Sequence, residues 1–231
     1  MTDAHDTAAA SFIAAHTVIE RPPLTPEIAL HLASEITPIW QASEDWLART
    51  GMAPPFWAFA WPGGQLVARR VLDQPSLVAG KRVLDFAAGS GIAAIACAMA
   101  GAARVEAAEI DPLAVAAIGL NAHRNGVEIA ASSGDIVGSA CRWDLIVCGD
   151  VCYEAPMTAH ILPWLRRCAR QAEVWIADPG RSYRPTAGLE ILEHRDIATS
   201  RELEDSLSRH TTLFRVLPDA GAAGPDTRDG A

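Results

Sequence analysis

Residues 83–91 read Val-Leu-Asp-Phe-Ala-Ala-Gly-Ser-Gly, an apolar run that breaks into a turn of small residues. The run from Arg82 to Phe86 is typical of a β-strand, and the alanine-rich segment at 92–100 is typical of a helix. A strand, a glycine turn and a helix in this order point free backbone N–H groups at a bound ligand. The stretch therefore predicts a nucleotide-type binding turn in an α/β domain.

Asp85 narrows the class of ligand that this turn would bind. It stands ahead of the glycines at the expected end of the strand, where a carboxylate repels a pyrophosphate and attracts an ammonium group. Dinucleotides carry the first group, whereas S-adenosylmethionine carries an amino acid, a sulfonium and no phosphate. We therefore expect Asp85 and the turn residues Ala87, Gly89 and Gly91 to bind a methyl donor. The alternative is an ordinary βα turn with a surface aspartate.

These residues resemble motif I of the class I, seven-β-strand S-adenosylmethionine-dependent methyltransferases. Ala87 replaces the first glycine of that family, which we expect to be mild if the backbone there does not need a positive φ. The resemblance implies a Rossmann-like α/β fold with a doubly wound, seven-stranded sheet. It also implies S-adenosyl-L-methionine as the cofactor.

Acidic residues follow the next two predicted strands. Residues 104–110 (RVEAAEI) read as a strand, and Glu109 at its end lies about 20 residues beyond the glycine turn, where nucleoside sites place an acid on the ribose hydroxyls. Asp111, before a proline, fits better as the N-cap of the next helix. Asp135 follows a Ser-Gly pair, where the resembled family commonly presents an acid to the adenine amino group. Solvated strand-end acids and a plain polar turn are the alternatives.

An almost wholly apolar run at 144–149 predicts a buried parallel strand that delivers Asp150-Val-Cys-Tyr153 at its carboxyl end. That edge of a doubly wound sheet faces the ligand crevice. The DxxY spacing resembles the post-strand motif of lysine methyltransferases, whereas enzymes acting on amide or base nitrogens usually carry (N/D)PP(Y/F). The resemblance implies catalytic roles for Asp150 and Tyr153, with Asp150 also contacting the cofactor, and it places the loop 178–181 on the rim. A capping Asp150 and a packing Tyr153 are the alternative.

Residues 51–64 read GMAPPFWAFAWPGG and hold Trp57 and Trp61. These tryptophans either pack a satellite core under the N-terminal extension or wall the ligand site, since aromatic faces attract cations. The segment resembles the lysine methyltransferases of the electron transfer flavoprotein β-subunit. That resemblance implies Trp61 as a cofactor contact and a lysine of this β-subunit as the methyl acceptor. A ribosomal-protein methyltransferase, a small-molecule N-methyltransferase and a non-enzymatic adenosylmethionine-binding subunit are the alternatives.

Composition bounds the remaining possibilities. The chain has 231 residues, of which half are hydrophobic, and a formal charge of −9, which suits one α/β domain with an extension. The acidic balance argues against nucleic acid as the main partner and fits a basic protein or a small molecule. Five cysteines without a CxxC pair predict reduced thiols and no structural zinc. With no signal peptide or membrane span in view, we expect a cytoplasmic monomer without metal or membrane partner.

The order of the predicted elements gives the domain organisation. We expect an N-terminal helical extension over residues 1–50, a methyltransferase domain over 51–217 and a flexible tail over 218–231. In the extension, helices are predicted at 7–20, at 25–33 behind a Thr-Pro-Glu cap signal, and at 43–49. The remaining predicted elements are helices at 65–72, 112–121 and 155–171, with a kink or new start at Pro163, and strands at 127–131, 173–177, 189–199 and 211–217.

Overall fold

A computed structural model of the chain describes residues 2–33, 55–199, 204 and 206–219. Two short 3₁₀ turns, Phe56–Ala58 and Pro75–Leu77, accompany the regular elements. In chain order these are α1 (Thr2–His16), β1 (Val18–Glu20), β2 (Leu30–Leu32), α2 (Pro62–Asp73), β3 (Arg82–Phe86), α3 (Ile92–Met99), β4 (Arg104–Glu109), α4 (Pro112–Arg124), β5 (Ala130–Ser133), β6 (Leu145–Gly149), α5 (Ala155–Cys168), β7 (Glu173–Asp178), β8 (Leu189–Ala198) and β9 (Ser208–Val216).

Strands β3 to β9 form one sheet of seven strands in the order β5-β4-β3-β6-β7-β9-β8. The first five strands are parallel, and β9 runs antiparallel to both of its neighbours. The order reverses at β3, which pairs with β4 on one side and β6 on the other, so the ligand crevice of a doubly wound sheet belongs at this point. The predicted Rossmann-like, seven-stranded fold is confirmed.

Helices cover both faces of the sheet. Helices α2 and α3 pack on one face, where Leu66 and Ile95 are fully buried in the larger apolar cluster together with Ile118 of α4. Helix α5 covers the other face through Trp164 and Leu165. The central strands β3 and β6 are almost wholly buried because both faces are covered, which explains their continuous apolar runs.

The N-terminal extension departs from the prediction of helices alone. The helix predicted at 7–20 ends at His16, and the helix predicted at 25–33 is wrong, because β1 and β2 form an antiparallel hairpin there. Ile28, Leu30 and Leu32 are buried, and an apolar residue at every second position is the pattern of a strand. The helix predicted at 43–49 and the domain boundary at residue 50 lie outside the described residues, so the domain boundaries stay a prediction.

The side-chain amides of Asn121 in α4 and of Asn125, which caps its C-terminus, hold this hairpin against the sheet domain. Asn125 accepts the N–H of Ala29 and donates to its carbonyl oxygen, and Asn121 accepts the N–H of His31. The amide of Asn121 also donates to the carbonyl oxygen of Ser90 in the glycine turn. These bonds satisfy backbone groups that a helix over this segment would have paired internally.

Further element boundaries differ from the prediction by a few residues, β5 and α5 among them. Strand β5 begins at Ala130 rather than at residue 127, because Val127 and Ile129 pack against the core from the preceding loop. Helix α5 continues through Pro163 and ends at Cys168. None of the helices within the described ranges has the length and apolar character needed to cross a membrane.

Candidate active site

A cavity of about 850 Å³ opens at the carboxyl ends of the central parallel strands. This volume falls within the roughly 300–1,000 Å³ that is typical of small-molecule sites. The ends of β3, β4 and β6, the first turns of α5 and the segment before α2 supply its walls. Among the residues singled out from the sequence, the cavity is lined by Trp57, Trp61, Ala87, Gly89, Glu109, Asp111, Asp135, Asp150 and Tyr153.

The glycine turn after β3 presents its backbone to this cavity. The N–H of Gly89 donates to Oε1 of Glu109 over 2.8 Å, which ties the turn to the end of the neighbouring strand. Gly91 adopts a φ of +77° at the N-cap of α3, and a Cβ there would lie 3.1 Å from Ile118. Gly91 therefore shapes the turn and its packing on α4, and it does not line the cavity.

Ala87 lies in the left-handed region with a φ of +55°. Replacing the family's glycine by alanine was expected to be mild if this position did not need a positive φ. The φ is positive, so that expectation is wrong. A left-handed alanine costs about 1–2 kcal/mol. The surrounding structure maintains the conformation, since the next N–H, that of Ala88, donates to the carbonyl oxygen of Ala108 in β4.

Asp85 is directed away from the cavity, at the start of α3. Its carboxylate is 2% exposed and accepts the N–H of Ala94 over 2.8 Å. Burial raises the pKa of Asp85 to about 8, and the charge of Glu109 adds to that rise, although the bond from Ala94 opposes it. A carboxyl that is mostly protonated at neutral pH is a poor partner for an ammonium group. The contact between Asp85 and a ligand stays a prediction that this geometry does not favour.

Glu109 is placed where an acid for ribose hydroxyls is expected. Its second oxygen accepts the N–H of Ile110 over 3.0 Å, and the residue lines the cavity at the end of β4. Burial raises the pKa of Glu109, while the N–H groups of Gly89 and Ile110 lower it. Asp111 accepts the N–H of Leu113 over 2.8 Å and caps α4, which confirms the role expected for it.

Asp135 lies on the cavity wall beyond β5, and both of its oxygens have partners. Oδ1 accepts the N–H of Val137 over 2.8 Å, and Oδ2 lies 2.7 Å from Nε2 of His160. These two partners lower the pKa of Asp135. The sequence analysis missed His160, although the cavity-lining positions 156, 157, 160 and 161 follow the spacing of one helix face.

Asp150 follows β6 and is held from two directions. It adopts a φ of +58°, its N–H donates to the carbonyl oxygen of Ala177, and its side chain is nearly buried. Oδ2 accepts the N–H of Gly63, whereas Oδ1 accepts Nη2 of Arg181 over 2.7 Å and Nε over 3.2 Å. Burial raises the pKa of Asp150 to about 6, and the Arg181 guanidinium opposes this rise.

The Trp-Pro-Gly-Gly segment places the N-terminus of α2 directly on the sheet edge. A Cβ at Gly63 would lie 2.5 Å from Oδ2 of Asp150 and 2.6 Å from the carbonyl oxygen of Ala177. A Cβ at Gly149 would lie 2.6 Å from the N atom of Gly64. Glycine is needed at both positions because two backbones meet there, and the close contact brings the first N–H groups of α2 to Asp150.

Arg181 is the second site residue that the sequence analysis did not identify by itself. Asp178 shapes its loop, accepting the N–H groups of Gly180 and Arg181 over 2.7 and 2.8 Å. The Arg181 guanidinium lies 5.6 Å from the centre of the Trp61 ring and pairs with Glu204 as well as with Asp150. The sequence placed this loop at the rim of the site, but no sequence pattern indicated that Arg181 would pair with Asp150 and Glu204.

Aromatic side chains complete the wall near Asp150. Trp57 is fully buried among residues of α1 and α4 and also lines the cavity, so both interpretations offered for it apply. Within the described part of the chain, its Nε1 has no hydrogen-bond acceptor. Trp61 donates to the carbonyl oxygen of Phe56 over 2.7 Å, and Tyr153 is 37% exposed with its ring 5.5 Å from that of Phe56.

Comparisons of the sequence with known proteins place the chain among methyltransferases. It is 39% identical over 201 residues to the electron transfer flavoprotein beta subunit lysine methyltransferase of Xenopus laevis, covering 85% of this chain and 79% of that protein. The human protein of the same name is 39% identical over 68% of this chain and 61% of its own length. A Caenorhabditis elegans homolog is 32% identical over 80% and 82%, respectively. The family model of ribosomal protein L11 methyltransferase (PrmA) matches residues 69–151.

Solved structures share the fold at low sequence identity. The Thermus thermophilus 16S rRNA N2 G1207 methyltransferase RsmC, solved with AdoMet and guanosine, superposes with a TM-score of 0.54 at 16% identity, covering 87% of this chain and 50% of that chain. Magnesium protoporphyrin IX methyltransferase from Synechocystis PCC 6803 with bound SAM gives a TM-score of 0.52 at 16% identity, covering 76% and 96%. At this identity the likeness establishes the architecture alone.

Proposed function

This chain belongs to the electron transfer flavoprotein β-subunit lysine methyltransferase family, and we propose that it methylates a lysine ε-amine of that β-subunit with S-adenosyl-L-methionine as donor. One observation of the structure carries the proposal beyond the family relationship. The cavity has a nucleoside-type wall at Gly89 and Glu109, and a nearly buried carboxylate, Asp150, beside an exposed tyrosine, Tyr153, at its other end.

The chemistry of the cavity fits the proposed methyl donor. Glu109 keeps acceptor positions for ribose hydroxyls, because a carboxylate has about four lone-pair sites and its described partners are backbone N–H groups. The buried Trp57 Nε1–H has no acceptor among the described residues, and a ligand carboxylate would supply one. Arg181 is the only Arg or Lys among the described cavity residues, and two carboxylates already pair with it, so a pyrophosphate would find no free cation.

We assign the predicted contacts on this basis. Asp85 and Gly91 shape the turn from behind, because neither lines the cavity. The residues that would hold the cofactor are Trp61, Ala87, Gly89, Glu109, Asp135 and Asp150. When bound, S-adenosylmethionine supplies a methyl group that its sulfonium already activates, so the protein has to align the acceptor rather than form a covalent intermediate.

The residues near Asp150 prepare the acceptor amine. A lysine ammonium has a pKa of about 10.4 and must lose its proton before its lone pair can attack. The aromatic side chains of Phe56, Trp61 and Tyr153 exclude water from the amine, and desolvation lowers the pKa of an amine. Asp150 Oδ2 accepts one N–H, that of Gly63, and retains a lone pair that can accept a hydrogen from the neutral amine and so orient it.

The proposal is tested with purified electron transfer flavoprotein and methyl-tritiated S-adenosylmethionine. We expect label on the β-subunit, and tandem mass spectrometry should locate it on a lysine side chain. Asp196→Asn serves as the matched control for Asp150→Asn, because Asp196 lies exposed on β8 and pairs with His210 away from the cavity. Label that appears on RNA or on small molecules in a cell extract, with an unmodified β-subunit, would overturn the proposal.

Ribosomal protein L11 is a second candidate acceptor, and one observation favours keeping it. The L11 methyltransferase family model matches residues 69–151, which contain the glycine turn, Glu109 and Asp150. The match ends before Tyr153 and Arg181, so it describes mainly the cofactor end that both enzymes would share. Adding L11 in equal amount to the same assay separates the two acceptors, and we expect the β-subunit to carry the label.

We also propose that the protein acts as a cytoplasmic monomer. All five cysteines are free, and four of them are buried, which suits a reducing compartment. Light scattering at micromolar concentration should give the mass of one 24.5 kDa chain. A mass of twice that value would show a dimer and contradict this part of the proposal.

A further inference from the structure

We propose that Arg181 is a positioning residue that makes the acceptor site select the neutral lysine amine over the ammonium. It does so by sharing one guanidinium between Asp150 and Glu204. The inference rests on the proposed lysine methylation. It assigns to Arg181 the lowering of the amine pKa, which burial alone would otherwise have to achieve.

The guanidinium lies between two acids that belong to different parts of the chain. Nη2 and Nε of Arg181 donate to Oδ1 of Asp150, and Nη1 donates to Oε2 of Glu204 over 3.1 Å while Nη2 also donates to Oε1. The side chain of Glu204 is 1% exposed, and that of Asp150 is 9% exposed. Such ion pairs are screened little by solvent, so each charge affects its neighbours strongly.

Counting charges shows what the arrangement does to an incoming amine. Glu204 also pairs with Arg209, whose Nε lies 3.0 Å from Oε2. Asp150, Glu204, Arg181 and Arg209 together are therefore neutral when all four are ionised. An ammonium would add an uncompensated positive charge beside Arg181, whereas a neutral amine would not. A nearby like charge disfavours the charged form and lowers the pKa of an amine.

The same contact fixes the acceptor oxygen. Arg181 occupies Oδ1 of Asp150 with two donors, and the N–H of Gly63 occupies one position on Oδ2. The carboxylate is thus held from both sides, and the remaining lone pair lies on Oδ2. Arg181 acts through Asp150 in this respect, which is why we describe it as a positioning residue.

Other titratable groups face the same region and stay unchanged in the test. Asp178 and Arg184 interact electrostatically with Cys152 and with the Arg181 loop, and burial raises the pKa of Cys152 to about 12. Glu109 and Glu154 act electrostatically on Tyr153, which lines the same cavity. These groups are the same in every variant. They therefore cannot cause a midpoint of the pH–rate profile that moves up when Arg181 loses its charge and down when Glu204 loses its charge.

The experiment measures kcat for methylation of the β-subunit between pH 6.5 and 10, at saturating β-subunit and cofactor, in wild type, Arg181→Gln and Glu204→Gln. The pH dependence of kcat reports groups in the enzyme–substrate complex, where the bound amine lies. We expect the wild-type rate to rise to a plateau as the acceptor amine loses its proton. Arg181→Gln removes a positive charge, so the midpoint of the rise should move up by about 1 pH unit or more. Glu204→Gln removes a negative charge, so the midpoint should move down. Cofactor affinity is measured by calorimetry alongside, because Arg181 contacts Asp150 and Trp61, and saturating cofactor keeps the midpoint independent of any change in that affinity.

Three controls separate charge from structure. Arg209→Gln removes the same charge from the same partner, Glu204, without touching Asp150, and should shift the midpoint less than Arg181→Gln. Arg181→Lys keeps the charge and loses the fork, so it should lower the plateau rate with the midpoint near the wild-type value. A substrate with S-aminoethylcysteine at the target position, whose amine is more acidic, should move the midpoint down in wild type, which assigns the titration to the amine rather than to Asp150.

The outcomes are distinguishable from failure of the proposed function. If wild type methylates no lysine at any pH, the proposed function fails. If wild type methylates the β-subunit but Arg181→Gln lowers the rate equally at every pH, Arg181 is structural and the inference is wrong. If Arg181→Gln does not fold, equal midpoints in Glu204→Gln and wild type overturn it as well.

Discussion

The two ends of the cavity hold their carboxylates in different ways. At the cofactor end, defined by Gly89 and Glu109, both oxygens of the acid accept backbone N–H groups, and the longer separation is the 20 residues from Gly89 to Glu109. At the acceptor end, defined by Asp150, Tyr153 and Arg181, the partners of Asp150 are 87 residues earlier and 31 residues later in the chain. The first end is built from local motifs, and the second exists only after distant segments meet.

This difference decides how each end should respond to substitution. An acid held by the backbone keeps its position when neighbouring side chains change, whereas an acid held by a cation and a helix N-terminus depends on both. We therefore expect changes at the acceptor end to reduce turnover and changes at the cofactor end to reduce affinity.

Asp150→Asn should give the largest loss, at the acceptor end. The amide has nearly the same size, but it lacks the charge that pairs with Arg181 and the strong acceptor that orients the amine. We expect turnover to fall by about 10²-fold or more, and the loss should persist at pH 9.5 because orientation is lost along with charge. Initial rates at saturating cofactor measure it, and wild-type turnover would leave Asp150 as a structural residue alone.

Gly63→Ala should disturb the acceptor end through the backbone. The added Cβ meets Asp150 and the carbonyl oxygen of Ala177 at 2.5 and 2.6 Å, so the first turn of α2 has to move. We expect a loss of about 1–3 kcal/mol in unfolding free energy together with reduced turnover, measured by denaturant titration and initial rates.

Gly119→Ala is the matched control for that substitution. Gly119 lies in α4, and a Cβ there would have no atom within 4 Å. The change should stabilise the protein by up to about 1 kcal/mol, since alanine favours helix more than glycine does. Equal effects of Gly63→Ala and Gly119→Ala would refute the close approach of α2 to the sheet.

Glu109→Ala should act on affinity rather than on turnover. Removing the acid leaves ribose hydroxyls without their acceptor, which costs about 1–3 kcal/mol of cofactor binding. Calorimetry with S-adenosylhomocysteine should show the loss, and turnover should recover at saturating cofactor. Undiminished affinity would remove Glu109 from the site and weaken the contrast between the two ends.

Ala87→Gly should produce the smallest effect. Glycine relieves the left-handed strain of about 1–2 kcal/mol but adds entropy to the unfolded chain, at about 0.5–1 kcal/mol. We expect a net stabilisation of about 0.5–1 kcal/mol, the difference between these two terms, measured by denaturant titration. A destabilised variant would show that the Ala87 methyl group makes contacts that outweigh the strain.

The sequence was sufficient for the central sheet and for placing Ala87, Gly89 and Glu109 at one sheet edge, because their signals are contiguous. A strand, glycines and an acid after the following strand predict positions at the same sheet edge once the parallel order is known. The hairpin at 18–32 was missed because the cap signal at Thr25 outweighed the alternation of Ile28, Leu30 and Leu32. Long-range hydrogen bonds from Asn121 and Asn125 stabilise that hairpin, and no local sequence pattern predicts them.

The acceptor end was predicted only in part. The buried strand placed Asp150 and Tyr153 at the sheet edge, the family resemblance implied their roles, and Gly63 and Gly64 had no assigned partner. Arg181 and Glu204 could not be paired with Asp150 from the sequence, since Arg181 follows β7, Glu204 falls between β8 and β9 in the chain, and their approach depends on how these strands close the sheet. The positive φ of Ala87 and the burial of Asp85 against the start of α3 are likewise properties of the folded turn.

The most direct test of the account quantifies methyl-lysine on the β-subunit by tandem mass spectrometry, at saturating S-adenosylmethionine, for wild type, Glu109→Ala and Asp150→Asn. The account predicts the same methylated lysine at similar yield with wild type and Glu109→Ala, and an initial rate lowered by about 10²-fold with Asp150→Asn. A β-subunit that wild type leaves unmodified, or that Asp150→Asn modifies as fast as wild type, would contradict it.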